Sequence, residues 1–353
     1  MEHPVLFIPK RNYPENTWWV AGFSDEITDK PLRRIMLDHA VVLFRTESGK
    51  LVALEDRCVH RWAPLSQGTV DGENIACPYH GMKFGPDGKC VHIPTQSQIP
   101  TKAQVRSFPI LESSPFVWIW MGDPNQMKPL PAALPWTADI TWMTVKGTLP
   151  IKCNYMLLQE NVLDLTHFAF LHATTLKQPG WEAKPEEVMV EDGRVGYRHV
   201  FANIKLAPFQ AIPTGIGSEK EVRRTDWGDF VSPALHVAGI DIIDPNPTEN
   251  SRSEFAARIV HATTPVNATS SHYWWTFSQD YAVSDVDVTT KVAEIIDATF
   301  AEDKLLLEII QNTVDHDIQH DKALEVSLGA DRLGLQARRV VDGLIAADRT
   351  TRK

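Results

Sequence analysis

Two short motifs carry the clearest chemistry: Cys58-Val59-His60 and, after sixteen intervening residues, Cys77-Pro78-Tyr79-His80. Two thiolates and two imidazoles suffice for a tetrahedral zinc site, but zinc ligand pairs usually have two to four residues between them. One Cys and one His from each of two loops suits another centre better. A mixed-ligand [2Fe–2S] cluster binds one iron through two Cys and the other through two His. Each loop then gives a thiolate to the first iron and an imidazole to the second. Neutral imidazoles raise the potential above that of all-Cys clusters, so an ordinary ferredoxin or flavin donor can reduce it. Pro64, Gly68, Pro78 and Gly81 let backbone N–H groups approach sulfur. Cys90 and Cys153 have no partner at ligand spacing and are expected to be buried. Two disulfides are the weaker reading of the even count, because the chain shows no secretion signal.

A second group of ligand types lies in Asn161-Val-Leu-Asp164-Leu-Thr-His167-Phe-Ala-Phe-Leu-His172. On a helix Asp164 and His167 share a face. His172 would point about 140° away on a regular helix, so the helix must bend or end near residue 170 if both His bind one metal. Two His and one carboxylate on one face of a metal is the arrangement of non-haem Fe(II) oxygenases, with positions left open for O2. The carboxylate could be Asp164. It could also be Asp303, in Glu302-Asp303-Lys304, although such a triplet usually reads as a solvated helix face.

These groups need a scaffold. Residues 16–122 read as β-rich: apolar runs at 40–44, 51–54 and 116–121 are separated by Ser48-Gly49, Asp71-Gly72 and Asp87-Gly88. A compact antiparallel module fits. Four prolines fall between positions 124 and 135, and the domain boundary is placed there, giving domains 1–124 and 125–353. Strand patterns return at 141–152 and across 188–280, with a helical pattern at 155–171. The clearest helix spans 286–314, with apolar residues at 288, 292, 295, 296, 300, 305, 306, 309 and 310. A basic amphipathic segment follows at about 335–346. The expected fold class is α+β.

Composition closes off other classes. Hydrophobic residues make up 43% and charged residues 23% of 353, as in ordinary globular chains. Net charge is −10, which disfavours nucleic acid. Residues 1–124 hold 13 basic and 14 acidic side chains, against 22 and 31 in the rest. No apolar run approaches a membrane span, and a cytoplasmic protein is expected.

Cys58-Val-His-Arg-Trp-Ala-Pro-Leu-Ser and Cys77-Pro-Tyr-His-Gly-Met-Lys-Phe resemble the two cluster loops of Rieske non-haem iron aromatic oxygenases. Met82 stands where many relatives have Trp or Leu. Asp-x2-His-x4-His followed by a distant Glu-Asp-x-x-Leu-x-Glu helix resembles the same family. Within it, the opening Asn16-Thr-Trp-Trp-Val-Ala-Gly and the closing Gly334-Leu-Gln-Ala-Arg338-Arg339-Val-Val-Asp resemble short demethylases of the vanillate and dicamba type. The resemblance covers nearly the whole chain.

It implies an all-β Rieske [2Fe–2S] domain, with Cys58, His60, Cys77 and His80 as ligands. An α+β catalytic domain follows, an antiparallel sheet with helices of helix-grip type. His167, His172 and Asp303 would bind mononuclear Fe(II). Asp164 would instead bridge His80 of one subunit to His167 of its neighbour in a homotrimer. Asn161 falls where demethylating relatives keep an Asn close to the iron. His261 falls where dicamba-type relatives place a substrate-contacting His, and His236 where they have a polar Asn. Trp274, Trp275 and Phe277 are expected in the core.

The implied activity is O2-dependent O-demethylation of a small, vanillate-like aromatic acid, with formaldehyde released. Methyl or ring hydroxylation and N-demethylation are the alternatives. Electrons from NAD(P)H would come through a separate reductase, directly or by way of a ferredoxin, since the chain has no Gly-x-Gly-x-x-Gly fingerprint. A bare Rieske electron carrier would need only about the first third of the chain and would have no use for His167, His172 and Asp303.

Overall fold

The computed structural model describes residues 13–176, 187–191, 194–249, 251–316 and 325–351. The opening segment, residues 1–10, lies outside them. The chain divides into two compact units: residues 13–134 with 264–267, and residues 135–263 with 268 onward.

The first unit is built from β1 (Trp18–Phe23), β2 (Leu32–Met36), β3 (His39–Arg45), β4 (Leu51–Glu55), β5 (Thr69–Asp71), β6 (Asn74–Ala76), β7 (Lys83–Phe84), β8 (Cys90–His92), β9 (Ile110–Ser113) and β10 (Phe116–Trp120). They form three antiparallel sheets, ordered β1-β10-β9, β2-β3-β4 and β5-β6-β7-β8. The three Gly-marked turns join β3 to β4, β5 to β6 and β7 to β8. Val42, Phe44, Val52, Leu54, Leu65, Ile75 and Phe84 pack into one core, and Cys58, Cys77, Met82 and Cys90 belong to it.

The second unit holds β11 (Met143–Thr148), α1 (Tyr155–Leu163), β12 (Glu187–Glu191), β13 (Arg194–Lys205), α2 (Pro208–Thr214), β14 (Glu221–Ser232), β15 (Leu235–Ile243), β16 (Glu254–Asn267), β17 (Ser270–Gln279), α3 (Val286–His316) and α4 (Arg332–Thr351). Its seven-stranded antiparallel sheet runs β11-β17-β16-β15-β14-β13-β12. Asn154 caps α1, its side chain accepting from Met156 N at 2.9 Å. Cys153 is fully buried, and Trp274, Trp275 and Phe277 lie in the core as expected. No helix among the described residues is long and apolar enough to cross a membrane.

Two helices differ from the sequence pattern. The helical stretch expected over 155–171 stops at Leu163. Asp164 leaves helical geometry (φ −115°, ψ 96°), and a 3₁₀ turn, Leu165–Ala169, follows. In α3 the buried stripe is Val292, Ile296, Phe300, Asp303, Leu307 and Gln311. The apolar residues at 305, 306, 309 and 310 face outward; Leu305 is 64% exposed. The 286–314 pattern had merged two faces of one helix.

Phe84 is fully buried and belongs to the same core cluster as Cys58 and Cys77. Replacing it by Ala should cost about 3–5 kcal/mol. Urea unfolding of the full chain, followed by tryptophan fluorescence, should show the early transition moving to lower denaturant.

Candidate metal centres and substrate cavity

The two cysteine motifs fold into matching turns. In the loop after β4, Cys58 N donates to Ala63 O (2.9 Å) and Trp62 N to Cys58 O (3.0 Å). In the β6–β7 loop, Cys77 N donates to Met82 O (2.8 Å) and Gly81 N to Cys77 O (3.0 Å). The fourth residue after each Cys is left-handed: Trp62 at φ 61° and Gly81 at φ 70°. A side chain at Gly81 would also press on Pro94, with its Cβ 3.0 Å from Cγ. Trp62 meets no such wall; its ring is 71% exposed, with the Arg57 guanidinium 5.2 Å above it.

This shared geometry buries both thiols side by side and turns both imidazoles outward. Cys58 and Cys77 are buried and close enough to act on each other. Burial raises the Cys58 thiol to about 11, against the pull of the His60 and Arg61 backbone N–H groups. The His60 and His80 rings are exposed, with centroids 4.6 Å apart. A buried sulfur pair behind an exposed imidazole pair fits a cluster with two Cys on one iron and two His on the other.

In the second unit, His167, His172 and Asp303 converge, with ligand atoms within 4.8 Å of one another. Asp303 Oδ1 is 3.5 Å from His167 Nε2 and 3.2 Å from His172 Nε2. Both Nε2 atoms are buried with no hydrogen-bond partner. Their other ring nitrogens are engaged: His172 Nδ1 lies 2.7 Å from Glu302 Oε2, and His167 Nδ1 meets the backbone oxygen of Asp164. With Nδ1 donating, each Nε2 presents a lone pair to the same point, as imidazole metal ligands do. Burial alone would raise the Asp303 carboxyl; the adjoining His167 and His172 rings outweigh it and hold the group at about 2. Two lone pairs and one carboxylate oxygen around one point fit a facial site for a divalent metal.

Asn161 and Asp164 take different places. Asn161 Nδ2 donates to Asp303 Oδ1 at 3.1 Å. The Asp164 carboxylate accepts from Thr166 N (2.9 Å) and Thr166 Oγ1 (2.6 Å), capping the 3₁₀ turn that carries His167. Pattern reading passed over Glu302, which bonds both His172 and the Thr175 hydroxyl. Its signal was its place beside a charged residue in the buried stripe of α3.

A cavity of about 100 Å³ opens beside this cluster, between α3 and the sheet. His167, Asp303 and Asn161 line it together with His236 and His261. The two His are paired across β15 and β16, with ring centroids 5.7 Å apart. His261 Nδ1 is 2.6 Å from the Tyr273 hydroxyl, and burial lowers the ring to about 4 although Asp303 pulls it up. Neither nitrogen of His236 has a partner. Burial, and then His261, push it well below the ordinary histidine value. Both rings are therefore neutral hydrogen-bonding groups, each able to donate one N–H. Tyr197, Arg224 and Asp226 also line the cavity and were not anticipated.

Comparison with known proteins identifies the two domains that carry these clusters. Residues 17–109 match the Rieske [2Fe-2S] domain, and residues 151–347 match the vanillate O-demethylase oxygenase C-terminal domain. An iron–sulfur subunit assigned to a toluene-4-sulfonate monooxygenase system of Comamonas testosteroni is 35% identical, over 95% of this chain and 97% of its own. The vanillate O-demethylase oxygenase subunit of Pseudomonas sp. (strain HR199 / DSM 7063) is 30% identical, over 95% and 96%. Dicamba monooxygenase bound to 3,6-dichlorosalicylic acid superposes with a TM-score of 0.85 at 28% identity, covering 95% of this chain and 98% of that one. The chain belongs to the Rieske non-haem iron oxygenases, in the family defined by the vanillate O-demethylase oxygenase C-terminal domain.

Proposed function

We propose that this chain is the terminal oxygenase component that O-demethylates a small aromatic acid of the methoxybenzoate kind, releasing formaldehyde. Residues 1–124 carry the electron-receiving centre and residues 125–353 the oxygenase site. The observation that carries the reading is the pair of unpartnered Nε2 atoms at Asp303, opening onto a cavity whose nearby polar wall is His236 and His261. Iron held by His167, His172 and Asp303, supplied with electrons from the [2Fe–2S] centre, provides the O2 activation that an inert C–H bond requires.

The chain's own residues do the positioning. Glu302 fixes His172, the Asp164 carbonyl fixes His167, and Asn161 holds the Asp303 carboxylate. The neutral imidazoles of His236 and His261 donate N–H to the substrate acid group and keep its methyl at the metal end. Phe168, Phe277 and Phe300 line the cavity and exclude water. Oxygen inserted into the methyl C–H bond gives a hemiacetal, which falls apart to the phenol and formaldehyde.

Electrons from NAD(P)H arrive through a separate reductase in the cytoplasm, where that reductant is available. They cross from His80 of one subunit through Asp164 to His167 of the next, in a homotrimer. Support comes from the groove that Asp164 and His167 share with Leu306 and Ile310 of the outward face of α3, an apolar rim suited to cover by a second copy. The exposed His60 and His80 edge, flanked by Tyr79 and Trp62, suits the other side of such a contact.

A second reading, oxidation of a ring methyl on an arenesulfonate, is favoured by the 35% identity to the toluene-4-sulfonate subunit. Both place a methyl at the metal and an anion at the histidines.

Incubation of the holoenzyme, reductase and NADH with vanillate, 3-methoxybenzoate and 4-methylbenzenesulfonate separates the two. Formaldehyde matched to O2 uptake with the methoxybenzoates supports demethylation. A benzylic alcohol from the sulfonate alone would replace it by the second reading. His167→Ala should abolish the mononuclear iron and turnover while the visible Rieske spectrum persists. Asp164→Asn should retain both metals, yet slow single-turnover reoxidation of the cluster at least about tenfold; unchanged reoxidation would refute the bridge.

A further inference from the structure

The cavity has a second polar end that the metal chemistry does not use. Asp226 faces Ile240 across β14 and β15, four residues along β15 from His236. At ~3.4 Å per residue that places Asp226 about 14 Å from the histidine level. α3 gives a similar length: Ile296 and Asp303 both line the cavity, seven residues or about 10 Å apart. Between the ends the wall is apolar or bare, formed by Ala238, Gly239, Ile240 and Ile259. Gly228 belongs to this stretch of β14, and Tyr197 lies over it: a Cβ there would sit 2.6 Å from the ring.

At the far end Arg224 and Asp226 form a buried pair on the cavity wall. Arg224 Nε donates to Asp226 Oδ1 (2.9 Å), and Nη1 donates to Gln210 Oε1 (2.7 Å) from α2. Asp226 Oδ2 is buried and has no partner among the described residues. A carboxylate oxygen left without a donor in apolar surroundings is costly, so its presence beside a cavity points to a ligand that completes it. The pair is neutral as a whole. An anion placed there would meet the unpaired oxygen, and an ammonium would meet the cation of Arg224. An uncharged O–H or N–H satisfies Oδ2 without either penalty.

We propose that Asp226 is a specificity-determining residue. The substrate would carry, about 10 Å from the methyl at the metal end, a hydroxyl or amide N–H donor that bonds Asp226 Oδ2. This rests on the reading of the metal end as the oxygenase site, and it extends that reading to a longer substrate than a simple methoxybenzoate.

Three probes that differ only at the far end test it: 3-(4-methoxyphenyl)propan-1-ol, 4-propylanisole and 3-(4-methoxyphenyl)propanoate. Calorimetric titration of the holoenzyme should show the alcohol binding at least about tenfold tighter than the propyl compound, the size expected for a hydrogen bond to a charged group. The propanoate should bind most weakly. In Asp226→Asn the amide N–H would face the cavity, so the alcohol should bind more weakly, losing the charge-assisted bond, and the propanoate should gain about tenfold. A purely structural Arg224–Asp226 pair would weaken all three probes together. Should that variant fail to fold, the wild-type comparison stands alone: equal affinities for alcohol and propyl compound, or no binding by any probe, overturn the proposal. Formaldehyde release from the bound alcohol is scored separately. A binding preference without formaldehyde leaves the Asp226 subsite standing, while the methoxybenzoate panel alone decides O-demethylation.

Discussion

The catalytic unit depends on one buried carboxylate. Asp303 sits in the inward stripe of α3, where the neighbouring positions are Ile296, Phe300 and Leu307. A bare charge there would cost several kcal/mol and would turn the helix face away from the sheet. Two imidazoles from the segment after α1 meet it instead, and their proximity keeps the carboxyl ionised against desolvation. The same contact ties α3 to residues 167 and 172, which are distant in sequence. It also leaves both Nε2 lone pairs aimed at one point. The conditions that make the helix face stable are thus the conditions for binding a metal cation.

The break after Leu163 follows from that constraint. A continuous helix through residue 172 would turn the second imidazole about 140° from the first. Asp164 resolves this by ending α1 and capping a 3₁₀ turn with its own side chain. Its carbonyl then receives His167 Nδ1. One residue stops a helix, starts a turn and fixes a tautomer. The first unit solves a related problem by repetition, since both cysteine loops close with the same pair of backbone hydrogen bonds. Two equal loops side by side give a sulfur pair inside and an imidazole pair outside.

Much of this was legible in the residues. The Cys-x-His and Cys-x2-His motifs announce a mixed-ligand cluster, because few other centres use that pairing. Asp-Gly and Ser-Gly marked the turns of the first unit. Asp303 could not be separated from a solvated helix face by composition, since Glu302, Lys304 and Glu308 surround it. Its phase could have separated it: it falls on the 292, 296, 300, 307 stripe, whereas 305, 306, 309 and 310 do not. Periodicity counted apolar residues and so blurred two faces, one packed on the sheet and one outward. Arg224 and Asp226 are two apart in a strand and so share a face, yet nothing local says that this face borders a cavity. That depends on Tyr197 and Gly228 pairing across β13 and β14, a register no single-strand pattern contains.

The two His in the cavity show how far side-chain identity alone can be pushed. His236 and His261 face each other on adjacent strands and are equally neutral, but their roles differ. His261 is held by the Tyr273 hydroxyl and lies against Phe300, one turn from Asp303. Its orientation is thus fixed beside the Asp303 cluster. His236 has both nitrogens unspent. A fully buried ring with neither nitrogen bonded is a net cost to folding, because buried polar groups normally find partners. The unit carries that cost where the cavity lets an incoming polar group remove it. Asp226 Oδ2 carries the same cost at the opposite end of the same wall. Unpaired polar groups at two ends of one cavity, His236 near the Asp303 cluster and Asp226 remote from it, lay out the proposed binding axis. On the proposed reading, that axis, more than the His167–His172–Asp303 cluster itself, sets which substrate is taken.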